Sequence, residues 1–241
     1  MNATWLGQAG MYFRTDDGMC VMVDPYLSNH LEEIGGAEMA RQVPVDESWY
    51  TQPLDVLILT HVHGDHTDMQ TLGRLLDRPE PVEVLASLTA WEKIRNVLPP
   101  QHNYVMFNAG TEWTHDTTTF CAMPAIHNDP YAIGVAFSAD AVHIYMTGDT
   151  LYDRRLLDAV KQPIDYFFPV INGRGNNMNP IDAARLTREL MPRHAVPLHW
   201  DMFPKFAADP ADYTQRLADS GVAVLVMQQY VSVDLQKHGE A

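Results

Sequence analysis

Residues 57–68 read LILTHVHGDHTD. An apolar run ends, and His61, His63, Asp65 and His66 follow at once. Imidazole nitrogen and carboxylate oxygen are the donors that zinc and its first-row neighbours select. His61 and His63 are two apart, so in extended backbone they point the same way and can pinch one ion. Gly64 then lets the chain turn sharply. Asp65 and His66, beyond that turn, can face a second ion beside the first. Three other segments repeat the pattern of an apolar strand followed by a donor. TTTFCAMPAI leads to His127, HIYMTG to Asp149, and AVPL to His199. Strand ends in α/β sheets converge on one rim, where ligands sit. With Asp149 shared, each of two divalent ions receives about three or four protein contacts and keeps open positions for water, as catalytic sites require. No cysteine takes part, so Zn²⁺, Mn²⁺ and Fe²⁺ all suit the donor set. Such ions lower the pKa of bound water, and a hydroxide bridging them would attack a carbonyl or phosphoryl centre. Asp65 and Asp149 are thus the candidate catalytic carboxylates.

These donors need strands to carry them. The first 60 residues read as TWLGQAG, MYFRT, MCVMVDP and VLILT, with Asp16-Asp17-Gly18 as a hairpin turn between the second and third. Residues 30–53 show no clear period and read as a long loop with a helical piece. Met69, Leu72, Leu75 and Leu76 share a helical face within 67–78. VEVLAS is a strand. TAWEKIRNVL is a helix with Trp91, Ile94, Val97 and Leu98 inward, stopped by Pro99-Pro100. YVMFNA, TTTFCAM, AIGVAF and HIYMTG are short strands. Helical pieces then alternate with strands: DRRLLDAV, YFFPVI, PIDAARLTREL and AVPL. Asn179 with Pro180, and Asp209 with Pro210, are helix starts. VAVLVMQ and YVSVDL close the chain as strands. Strands then helices, twice over, predict two sheets with helices outside, a layered α/β sandwich in a single domain over 1–241.

Composition narrows the partners. The chain of 241 residues carries 31 acidic against 16 basic side chains, a net charge of −15. That field repels a phosphate backbone, and no Lys/Arg cluster offsets it, so nucleic acid is not expected. Apolar runs reach only about five to eight residues, short of the roughly 20 that span a bilayer, and no membrane is expected. Cys20 and Cys121 read as two buried free thiols, with no basic or apolar leader ahead of them, and a cytoplasmic location is the expectation. The partner is a small-molecule substrate. A homo-oligomer stays open.

The series His61, His63, Asp65, His66, then His127, Asp149 and His199 resembles the signature of the metallo-β-lactamase superfamily. WLGQAG and VDPYLS also fit its opening strands. The resemblance implies a four-layer αββα sandwich with a dinuclear rim site. His61, His63 and His127 would hold one ion, Asp65, His66 and His199 the other, and Asp149 both. TWLGQAG, GDTLY, INGRGNNMNPIDAARL and AVPLHWDMFPKFAADP are similar to the L-ascorbate-6-phosphate lactonase group, which opens a sugar lactone with a divalent metal, reported as manganese.

Around this set several residues have both a functional and a structural reading. Asp24 either accepts a hydrogen bond from a ligand histidine or is a turn Asp before Pro25. Arg174 and Asn172, in the stretch 172–177, are the candidate substrate contacts: Arg174 can take a phosphate or carboxylate in a bidentate grip beside a helix start. Otherwise the stretch is a Gly/Asn-rich turn with a solvated Arg. Trp200, Phe203 and Lys205 either line a pocket or, for the two aromatics, pack in the core. His30, His102, His115, His143, His194 and His238 read as ordinary hydrogen-bonded or surface residues. The leading reading is a metal-dependent hydrolase of a small anionic ester or lactone. A phosphodiesterase, nuclease-like or phospholipase-like, is the alternative. A non-catalytic metal sensor is the third, and it predicts degraded ligands where all seven are intact.

Overall fold

The computed structural model describes residues 1–238. Consecutive apolar residues in short runs build strands buried on both faces, the habit of sheets covered by helices. In chain order these are β1 (Asn2–Gly7), β2 (Gly10–Arg14), β3 (Cys20–Val23), β4 (Val56–Leu59), β5 (Glu83–Ala86) and β6 (Asn103–Met106). Then come β7 (Glu112–His115), β8 (Thr118–Pro124), β9 (Ile133–Ala139), β10 (Val142–Met146), β11 (Tyr166–Phe168), β12 (His194–Ala195), β13 (Ala223–Val224) and β14 (Ser232–Asp234). One sheet is ordered β14-β1-β2-β3-β4-β5-β6, the other β13-β12-β11-β10-β9-β8-β7. Both are mixed. β3 to β6 are parallel, as are β10 to β13, and the hairpin strands are antiparallel.

The period-two alternation divides each strand between two cores. Val56 and Ile58 of β4 enter the core between the sheets with Phe13, Phe120, Phe137, Ile144, Met146 and Phe168. Between β3 and β4 lies the short helix α1 (His30–Gly35). Leu57 and Leu59 face outward, where α2 (Met69–Leu75) and α3 (Leu88–Ile94) bury Leu72, Leu75, Ala90 and Ile94. On the far side Tyr145 and Phe167 meet Leu156, Leu186 and Tyr213. Those three come from α4 (Arg154–Ala159), α5 (Pro180–Leu190) and α6 (Pro210–Arg216). The layers are therefore helix, sheet, sheet, helix: the αββα sandwich. Asn179 starts α5 by accepting from the amides of Ile181 and Asp182, with Pro180 in the first turn.

Some expectations are corrected. β7 has no counterpart among the predicted strands; its alternation Glu-Trp-Thr-His carries one apolar residue and is stabilised by pairing with β8. Of the strand expected over 222–228 only Ala223–Val224 pairs, and 232–234 crosses to the other sheet to join β1. Val97 is 70 % exposed, because α3 ends at Ile94 and the last turn unwinds. Trp91 is half-buried under the Arg95 guanidinium, 4.1 Å from its ring. Cys20 is buried, but Cys121 is only half-buried, on the outward face of β8. No helix among the described residues is long and apolar enough to cross a membrane.

The sandwich brings one set of strand ends to a common rim, and Gly148 shows how tightly. It follows β10 at φ 59, and a Cβ there would lie 2.4 Å from the Ile133 carbonyl oxygen. Gly148→Ala is expected to lose about 2 kcal/mol or more, from the left-handed conformation plus the backbone clash. Denaturant unfolding with an unchanged midpoint would contradict this.

Candidate metal centre

β4 is locked by parallel neighbours on both sides, so the loop after it leaves the sheet at a fixed point. The loop is strapped down. The amides of His66 and Thr67 donate to the His63 carbonyl at 3.1 and 2.7 Å, and Thr67 Oγ1 donates to the His61 carbonyl at 2.6 Å. Lys93 Nζ donates to the Thr67 carbonyl, and Asp129 Oδ2 accepts from the Val62 amide. Gly64 does not take a left-handed conformation here. A Cβ there would stand 3.0 Å from Leu31 Cδ2, a tight contact that Leu31 would have to relieve by a small shift.

From these elements the donors form two groups. His61, His63, His127 and Asp149 are one; Asp65, His66 and His199 are the other; within each, the donor atoms lie within 4.8 Å of one another. In the first, His61 Nε2 is 2.9 Å from His63 Nδ1, which is 3.3 Å from His127 Nε2. In the second, His199 Nε2 is 3.3 Å from both Asp65 Oδ2 and His66 Nε2. Asp149 spans the two. Its Oδ2 is 4.0 Å from His61 Nε2, and its Oδ1 is 3.3 Å from both His66 Nε2 and His199 Nε2. All seven residues are thus gathered at one rim, in the division the resemblance implies.

The residues fit a pair of cations. Imidazole nitrogens at such separations aim lone pairs at common points, and Asp149 Oδ1 is buried with no hydrogen-bond partner. A buried carboxylate oxygen left bare is costly unless a cation meets it. The far sides of the rings are arranged to leave those lone pairs free. Asp24, buried after β3, accepts from His66 Nδ1 at 2.7 Å and from the Thr60 amide at 2.8 Å. It also accepts from Thr60 Oγ1, which in turn accepts from His61 Nδ1 at 3.2 Å. One carboxylate therefore sets the tautomers of two rings, with Nε2 of each facing the rim.

Electrostatics divides the donors. Burial, with His66 nearby, holds the His61 pKa well below its ordinary value. Burial likewise lowers that of His127. Burial also opposes charge on His66 and His199, but there the carboxylates win. Asp149, Asp65 and Asp24 raise His66, and Asp149 and Asp65 raise His199. Asp65 and Asp149 are held below the carboxylate range: burial pushes them up, and the His66 and His199 imidazoles more than offset it.

Other candidates are placed as follows. Asn172 is buried, with its Oδ1 unpartnered. Arg174 is exposed on the same loop, whose Asn176 carbonyl lies 3.3 Å from His127 Nδ1. Phe203 is core, packed edge-on to Tyr26, and Trp200 stacks at a tilt on Trp5. Lys205 is exposed and lies over the Phe206 ring. His102 is buried and bonded to the Val82 amide and the Leu76 carbonyl, and none of His30, His102, His115, His143 and His194 joins a donor group among the described residues. The side chain of His238 lies outside them. Two contacts were not anticipated. Asn177 Nδ2 donates to Asp149 Oδ2 at 2.8 Å, and Gln8 Nε2 donates to Asp65 Oδ2 at 2.7 Å. Neither amide sits in a metal-ligand spacing, so only the turns that carry them could have signalled it.

An αββα sandwich with seven His and Asp donors at one rim defines a metallo-β-lactamase-type protein. A family model described as Beta-lactamase superfamily domain matches residues 20–200. A UPF0173 metal-dependent hydrolase of Thermococcus onnurineus is 30 % identical over 86 % of this chain and 88 % of its own. Another, of Sulfurisphaera tokodaii, is 27 % identical over 96 % and 98 %. The chain belongs to the β-lactamase superfamily and, within it, to the UPF0173 metal-dependent hydrolase family. Igni18, a metallo hydrolase of Ignicoccus hospitalis, shares the fold with a TM-score of 0.76 at 20 % identity, covering 96 % of this chain and 97 % of its own. The metallo-β-lactamase fold protein YhfI of Bacillus subtilis does so at 0.72 and 15 %, covering 97 % and 99 %.

The raised pKa values of His66 and His199 have a measurable consequence. Both rings keep their protons to higher pH than a free imidazole does in the ion-free protein, and ion uptake must displace any that remain. Affinity therefore climbs as pH rises through those pKa values and falls in acid. Adding Zn²⁺ to metal-free protein in unbuffered solution is expected to release roughly one to two protons per chain. Uptake without acidification would refute the assignment.

Proposed function

We propose that this chain hydrolyses a small anionic ester or lactone, of the sugar-phosphate lactone kind, using two divalent ions. His61, His63 and His127 hold one, Asp65, His66 and His199 the other, and Asp149 both. The observation that carries this is the Asp149 carboxylate, which turns one oxygen to each group while Oδ1 stays buried and unpartnered. Zn²⁺ and Mn²⁺ are the leading occupants, with Fe²⁺ also suited to the donors. Bound there, the ions would polarise the attacked oxygen and lower the pKa of water.

The chain's own residues supply the rest. Asp24 and Thr60 hold the His61 and His66 rings in register. Asn177 pins Asp149 through its Oδ2. Asp65 engages Gln8, His66 and His199 through Oδ2, so its Oδ1 can orient a proton-bearing nucleophile. An anionic substrate meets a net charge of −15, and a local cation must offset that field. Arg174 meets the need: it is exposed, on the loop whose Asn176 carbonyl lies 3.3 Å from His127 Nδ1, and makes no ion pair among the described residues. The likeness of the 171–186 and 195–210 stretches to the sugar-phosphate lactonases supports the same class.

Metal analysis of the purified protein, coupled to a panel of lactones, phosphodiesters and thioesters, tests this. Lactone or ester hydrolysis lost in His63→Ala and Asp65→Asn is the expected result. Activity surviving both substitutions removes the mechanism, and turnover confined to phosphodiesters moves the assignment to that class. Arg174→Ala is expected to raise KM for phosphorylated substrates roughly tenfold or more, the worth of a charge-assisted hydrogen bond. It should leave kcat on neutral esters nearly unchanged. An equal loss on both substrate types would show that Arg174 does not read the anion.

A further inference from the structure

Gln8 lies in the turn between β1 and β2, distant in sequence from every donor of the metal centre, and is 1 % exposed. Its backbone carbonyl accepts from Trp5 Nε1 and from the His199 amide, each at 3.0 Å. The fold needs only that carbonyl. The side chain goes elsewhere: Nε2 is 2.7 Å from Asp65 Oδ2 and 3.0 Å from His199 Nε2. It thus sits among the donor atoms of the second group. Gln8 adopts φ 51 and His199 φ 65, left-handed conformations that Gly or Asn takes at lower cost. Non-glycine residues held this way, and tied to each other by a backbone hydrogen bond, mark a place where the surroundings over-determine the chain.

Donors bound to one ion at about 2.1 Å, with angles between 90° and tetrahedral, stand roughly 3.0–3.4 Å apart. His199 stands at such separations from Asp65, His66, Asp149 and the Gln8 amide, and His66 from Asp149; Asp65 is 3.6 Å from His66 and 2.7 Å from the Gln8 amide. Half a turn about the soft terminal torsion exchanges Nε2 for Oε1. The amide then presents a carbonyl oxygen to the same point as the neighbouring lone pairs. We infer that Gln8 is a ligand of the second ion, its Oε1 joining Asp65, His66, His199 and Asp149. Five protein donors suit an ion of high coordination number, and one position is left for water or substrate. The second position thereby favours Mn²⁺ or Fe²⁺ over tetrahedral Zn²⁺.

The inference rests on the two-ion reading, and one experiment separates the two. Wild type, Gln8→Leu and Gln8→Glu are loaded with Co²⁺ under equilibrium dialysis, and ions per chain and visible absorption are recorded. The ion at His61, His63 and His127 serves as the internal check of folding. Wild type should bind two ions. Gln8→Leu should keep the first and weaken the second roughly tenfold or more, with stronger visible bands as the coordination number drops. Gln8→Glu keeps a ligand oxygen and adds charge, so its second ion should bind at least as tightly as in wild type. If Gln8 only donates a hydrogen bond to Asp65, the new carboxylate opposes Asp65 and Gln8→Glu fails as Gln8→Leu does, which overturns the ligand role. So does Gln8→Leu behaving as wild type. A wild type that binds fewer than two ions refutes the two-ion reading itself.

Discussion

His61 Nε2 and His63 Nδ1 stand 2.9 Å apart, with His127 Nε2 next to them and Asp149 Oδ2 4.0 Å from His61 Nε2. Where two of these nitrogens both carry lone pairs they repel unless a proton or a cation lies between them. The rest of the structure can be understood as what it takes to hold that arrangement. Two sheets share a large apolar core, with Phe13, Phe120, Phe137 and Phe168 packed between them. That core fixes the ends of β4, β8 and β10 far more firmly than any loop contact could. The cohesion lies between the sheets, and the unfavourable concentration of donors lies at their rim.

The backbone is strained at this rim. Gln8, Asp24, Asn176 and His199 all take left-handed conformations, and all border the centre. Each costs of order 1–3 kcal/mol. Each is tied by hydrogen bonds to an element seated in the core. Gln8 binds Trp5 and His199, and Asp24 binds Thr60 at the end of β4. Asp116, Asp140, Ala141, Met191 and Tyr230 are left-handed too and belong to neither donor group, so the left-handed conformation is shared by the rim rather than confined to it.

The donors were legible because their signal is local. HVHGDH packs four of them into six residues, and the other three each follow an apolar strand directly. The helix starts at Asn179-Pro180 and Asp209-Pro210 were legible for the same reason, since a cap is a matter of two or three neighbours. What escaped depends on distant pairing. β14 joins β1 across nearly the whole chain, and β7 exists because β8 lies beside it. Gly64 was read as a turn residue; it is not left-handed, and the nearest group to a Cβ there is Leu31, more than thirty positions away. Gln8 and Asn177 carry no metal-ligand spacing. Their positions follow from a hairpin and a loop meeting Asp65 and Asp149 in space.

Asp149 links the two halves of the centre, and its environment makes them interdependent. One oxygen is held by Asn177 and faces His61; the other faces His66 and His199. A carboxylate shared in this way cannot adjust to one ion without moving relative to the other, because Asn177 removes its freedom to rotate. Asp24 couples the halves again from behind, since its carboxylate orients both the His61 and the His66 rings. The two donor groups are therefore one mechanical unit, with two carboxylates as its hinges. The loop at 172–177 adjoins this unit through Asn177 and the Asn176 carbonyl yet keeps Arg174 in solvent. The donor unit and this loop are thus different segments that meet at Asp149, through Asn177.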